Sequence, residues 1–310
     1  MNASRKFWKD GPAVEQWNDV ARLEKKFFPI PQVRKPRVKW VFRAEKPDTD
    51  HMLKTNLEQR FKLNGIRNED KRNRERELIR GFQRKAALYL EHEPDKDDIL
   101  EWLAIMRHRD APTRLLDWRY SFYIAVYFAL NENKEGIVWA LNVDPINKPE
   151  PMVQKICDRT DGFREFSVAL LHFLKQSDFL GIRAEGDKLI DLAIASYLME
   201  CCVPIPCVYP VNPFRLNKRL SVQQGLFLMV GDITKSFAEN LMASFGGPDK
   251  TQRYLQRIKI APGEDERKAI LTRLRDMNIS NEALLPGLDG FARSVGEGLA
   301  YPGLLGSREE

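Results

Sequence analysis

What this chain lacks narrows it first. No apolar run approaches the roughly 20 residues that span a bilayer, and the opening stretch from Met1 to Asp10 holds no apolar segment of a secretory signal. A cytoplasmic protein with no membrane partner is expected. Cysteine is scarce, with Cys157, Cys201, Cys202 and Cys207 the only four. Their spacing matches no paired zinc motif and no histidine lies near them in sequence, so reduced, mostly buried thiols and no metal are expected. No Gly-rich phosphate loop follows an apolar strand, and neither a Ser-His-Asp spacing nor a P-loop can be read. These absences remove the commonest hydrolase and kinase classes and argue against a doubly wound nucleotide fold. Internal repeats, coiled-coil heptads and low-complexity tails are missing as well.

What is present is a globular composition. The 310 residues are 43% hydrophobic and 30% charged, with a net charge of +6. That length buries a full core, and the basic balance permits an anionic partner. The stretch Val38 to Arg43 alternates as a strand, and Ala44 to Asp50 reads as a loop. Residues 69–92 have helical periodicity, with Leu78, Ile79, Phe82, Ala86, Tyr89 and Leu90 along one side. Arg72, Arg74, Arg76, Arg80, Arg84 and Lys85 crowd the rest of that helix, as a solvated face or an anion-binding one.

Asp98 caps a second helix with Glu101 at the capping-box position, and Pro112 closes that region. Ser121 caps a short buried helix through Ala129. Strands are expected at Ile137 to Val143, Cys207 to Tyr209, Leu226 to Val230 and Gln256 to Ile260. Two helical segments are expected near 163–177 and 187–201, and a helical end from Glu264 to Val295. Short strands interleaved with more helix indicate an α+β class, a mixed short-stranded sheet flanked by many helices.

Chemistry concentrates in three places. Arg43 ends the first strand, so its guanidinium is expected at a sheet end, suited to a phosphate or carboxylate or to pairing with Glu45. Met106 to Trp118 reads as a polar loop pinned by buried Leu115 and Leu116. It offers the Thr113 hydroxyl, the Arg114 fork, the Asp117 acceptor and the Trp118 face. Arg114 and Asp117, three apart, could also simply pair and brace the loop. Gln223 and Gln224 precede a strand beside Gly225, where backbone can approach closely.

In this order the three places resemble the FRG domain, a bacterial family named for a Phe-Arg-Gly motif. The first motif stands here as Phe42-Arg43-Ala44-Glu45, departing from the family's Gly and Gln at positions 44 and 45. The second comprises Glu101-Trp102-Leu103, His108, Pro112 to Trp118, Ala125 to Ala129 and Ile137 to Ala140. The third is Gln223 to Phe227, and Leu274 to Ile279 with Leu285 to Gly290 is similar to the family's end. Residues 1–35 mix aromatic and charged residues and read as an N-terminal helical arm; the resemblance runs from about residue 38 to 295, so an FRG-type domain over 36–296 with a helical insertion at about 160–202, and a tail over 297–310, are expected. The resemblance also implies a bacterial protein of anti-phage defence or toxin type.

A weaker likeness, at the level of fold, is to ADP-ribosyltransferases. It implies NAD as substrate, with ADP-ribosyl transfer or NAD cleavage. Arg43, Asp117 and Gln224 would be the catalytic residues, and Thr113, Arg114, Trp118, Tyr123 and Gln223 would bind substrate. A macromolecular acceptor, protein or nucleic acid, is implied with it. The other reading is a non-catalytic module that binds nucleic acid or a phage component through the Arg-rich helix.

Overall fold

The computed structural model describes residues 6–29, 39–47, 52–86, 88–91, 93–148, 152, 154, 156, 186–200, 203–212 and 221–297. The helical segment expected at 163–177, three of the four cysteines and the tail beyond Glu297 lie outside the described residues. Cys207 is buried.

Seven strands form one sheet: β1 (Lys9–Asp10), β2 (Trp40–Glu45), β3 (Leu115–Arg119), β4 (Gly136–Asn142), β5 (Val208–Val211), β6 (Gly225–Val230) and β7 (Leu255–Ile260). Their spatial order is β1-β7-β4-β2-β3-β6-β5. β1 runs parallel to β7, and every other pairing is antiparallel. The sheet is thus mixed, and with eleven helices among the described residues the α+β expectation holds.

Along β2, β4 and β6 successive side chains alternate between two faces. Val41, Leu116, Trp118, Trp139, Leu226 and Leu228 share one face, covered by α7 (Phe237–Phe245) through Phe237, Leu241 and Phe245. The other face carries two separate apolar clusters. On β2, β4 and β7, Phe42, Val138 and Ile258 pack under α1 (Trp17–Phe27), α5 (Phe122–Leu130) and α9 (Glu264–Asp276). On β3, β5 and β6, Leu115, Tyr209 and Met229 pack under α3 (Lys71–Ala86), α4 (Ile99–His108) and α6 (Gly186–Glu200). α2 (Asn56–Leu63), α8 (Pro248–Thr251), α10 (Asn281–Leu284) and α11 (Leu288–Glu297) complete the helices.

Three local expectations are corrected. β2 continues through Ala44 and Glu45, paired with Val138 and Ile137, because the Glu45 carboxylate is consumed internally by Trp139 Nε1 and the Leu53 amide. Residues 115–119 are a central strand, not a loop. The C-terminal helical region is broken into three helices, at Asn278 (φ 61°) and Gly287 (φ 109°).

Candidate functional site

β2 and β3 are neighbours that share a single bridge, Phe42 opposite Arg119. Beyond it the two strands do not pair, and the sheet is split near its centre. A side chain fills the split. Arg43 lies in mid-strand, not at the sheet end, and its Nη1 donates to the Asp117 carbonyl at 2.9 Å, an acceptor the strand ladder leaves open. The same Nη1 is 3.9 Å from Asp117 Oδ2, while Nε donates to Glu45 at 2.7 Å. The expected Glu45 pair and the approach to Asp117 therefore both form.

On the sheet face opposite α7, Asp117 and Arg119 follow Leu115 at steps of two. They form a polar seam between the two apolar clusters. Arg107, in the last turn of α4, donates through Nε and Nη2 to Asp117 Oδ2. Asp117 Oδ1 accepts nothing among the described residues, and the side chain is 28% exposed. Arg119 lies over the Phe128 ring at 4.2 Å and donates to Gln223 Oε1 at 3.4 Å. Gln223 in turn donates to the Leu284 carbonyl. Burial alone would raise the Asp117 carboxyl pKa. The Arg107 charge and hydrogen bonds, then Arg43 and Arg119, outweigh it and hold the carboxyl below the usual range. Arg107 is raised in return: burial opposes its charge, and Asp117 favours it more strongly.

The structure brings Arg43 and Asp117 together, connects Gln223 only through Arg119, and separates the other predicted residues. Gln224 is exposed in a left-handed turn (φ 48°), with its carbonyl held by the Tyr120 amide. Thr113, Arg114 and Trp118 are buried. Arg114 does not pair with Asp117. It is bonded to both carboxylate oxygens of Glu75 on α3 and to the Leu198 and Val230 carbonyls. Trp118 packs in the core face and has no ring surface for a ligand. Tyr123 stacks on Trp17 at 5.9 Å. Sequence reasoning missed Arg107 and Arg119. A period-two reading of 115–119 would have found Arg119 beside Asp117.

Residues 38–136 match the family model of the FRG domain. The chain carries an FRG domain. Its matched span contains Arg43, Arg107, Asp117 and Arg119, so the split strands and the whole arginine cluster belong to it. Gln223 comes from outside that span. No curated protein and no solved structure matches this FRG-domain chain. Among the described residues no helix is long and apolar enough to cross a membrane, and no His, Cys, Asp and Glu group could hold a metal ion.

Proposed function

We propose that the arginine cluster of the FRG domain binds a phosphate-bearing ribonucleotide, with NAD as ligand, and that the chain cleaves it or transfers its ADP-ribose. One observation carries this reading: an ionised, half-buried Asp117 carboxylate with one oxygen held by Arg107 and the other open, flanked by Arg43 and Arg119. Arg43, Arg107 and Arg119 converge beside Asp117, planar and permanently charged donors of the kind that recognise an anion. Arg107 Nη1 is also buried without an acceptor among the described residues, an unmet donor of the kind an anionic ligand satisfies.

The open Oδ1 suits a ribose hydroxyl. It also sets negative charge beside the ribosyl carbon as the bond to nicotinamide breaks and that carbon becomes cationic. Nicotinamide leaves with the bonding pair. Water, or a protein or nucleic-acid acceptor, then bonds to the carbon and releases its proton to solvent. Asp117 thereby takes the charge-stabilising role that a neutral glutamine fills poorly. Consumption of NAD would act as a toxin, in keeping with a defence role.

Isothermal titration with NAD and ADP-ribose, together with nicotinamide release, tests the proposal. Arg119→Ala is expected to weaken both ligands at least about tenfold, the scale of one lost charge-assisted contact. Asp117→Asn is expected to retain NAD and stop nicotinamide release. Absence of heat with both ligands and of nicotinamide release would reduce the cluster to an internal brace.

A further inference from the structure

We propose that the solvent face of α3 is a docking surface for a single nucleic-acid strand. It is separate from the arginine cluster and independent of the nucleotide reading. The helix turns one side to the core through Glu75, Ile79 and Ala86. The opposite side presents Arg74, Arg76, Arg80, Arg84 and Lys85, all exposed. Arg76, Arg80 and Arg84 recur every fourth residue, about 6 Å apart along the axis, in one slowly drifting stripe. Among the described residues none of these three has a carboxylate partner. The one acid on that side, Glu77, is paired with Arg74 at 2.9 Å. The stripe is a row of free, planar, permanently charged donors, the chemistry that recognises phosphodiesters.

Two further observations point to a strand. Gly81 sits amid this basic face, in mid-helix, where a Cβ would meet nothing within 4 Å. Packing therefore gives no reason for a glycine that weakens the helix. Close approach of a ligand to the helix backbone does. The chain then leaves the helix and exposes Tyr89 at 83% and Leu88 at 79%. An open tyrosine ring five residues beyond the last arginine of that row is suited to hold an unpaired base while its backbone is neutralised. An anionic bilayer fits less well, because α3 buries Ile79 and Ala86 in the core and leaves Leu78 as its one exposed large apolar side chain, too little for a continuous face to enter lipid.

Fluorescence anisotropy of the full chain with labelled single-stranded RNA and DNA, duplex competitor and anionic phosphatidylserine vesicles tests the proposal. Binding to single strands is expected to fall steeply between about 50 and about 200 mM salt. The triple variant R76Q/R80Q/R84Q is expected to lose at least about tenfold in affinity and to flatten the log–log salt slope by roughly 2. Y89A is expected to lose roughly tenfold at unchanged slope. G81A is expected to raise Tm and yet weaken binding, which a purely structural glycine would not do. Preference between RNA and DNA identifies which strand is taken. Wild-type affinity in the triple variant overturns the proposal, as does duplex competing equally with no effect of Y89A, or binding to vesicles but not oligonucleotides. R119A is expected to leave strand binding intact, so this surface and the nucleotide site fail or stand separately.

Discussion

Arg114 and Asp117 carry opposite charges three positions apart, and each finds a different partner. Arg114 and Glu75 are 2% and 4% exposed and make a buried ion pair in which the guanidinium also donates to two backbone carbonyls. Removing one member strands a buried charge. Arg114→Met is expected to cost about 3–5 kcal/mol in urea unfolding, and the double variant with Glu75→Leu to recover most of it. Asp117 behaves differently, because its neighbouring guanidiniums hold its folded pKa below the ordinary carboxylate value of an unfolded chain. Its ionised form stabilises the fold above that value, and the stabilisation is lost as pH falls through the lower folded pKa. Acid unfolding of wild type below about pH 4 should therefore show a slope that Asp117→Asn reduces. Of this arrangement, the sequence showed Arg43, Asp117 and Gln223 as polar islands. It hid Arg107 and Arg119, because a helix-end arginine and a strand arginine look like any surface charge until their neighbours are known.

At the scale of elements, capping and periodicity were legible. Asp98 caps α4, accepting from the Glu101 amide, and Ser121 caps α5 through the Ile124 amide. The capping box of α7 joins Ser236 with Glu239, beneath which Asn240, fully buried, accepts from the Cys207 and Asp232 amides and donates to the Asp232 and Ser236 carbonyls. Ser236→Ala is expected to cost about 1 kcal/mol in thermal unfolding, and Gly81→Ala to add about 0.5–1 kcal/mol because alanine is the better helix former. β3 was misread for a physical reason. A strand of five residues beside Pro112 and Thr113 has too few alternations to stand out, and its polar positions, Asp117 and Arg119, face an interior seam rather than water.

At the scale of the molecule, the N-terminal segment is built into the sheet and the core. Lys9 pairs with Gln256 and Asp10 with Arg257, and Val14, Val20, Leu23 and Phe27 are buried among residues of α5 and α9. Each such side chain contributes about 1.5–3 kcal/mol on burial, and a domain's whole margin is about 5–15 kcal/mol. A chain begun at residue 36 is therefore expected to lose its cooperative thermal transition by circular dichroism.

The sequence by itself determined several of the helices and strands, where α4 and α5 begin, and that the class is α+β. Those follow from periodicity and caps within a few residues. The split between β2 and β3, the partner of each arginine and the burial of Trp118 were decided only in the tertiary structure. They depend on segments far apart in the chain, such as Arg43 and Asp117, meeting across the sheet, and no local pattern encodes which distant side chain a charge will reach.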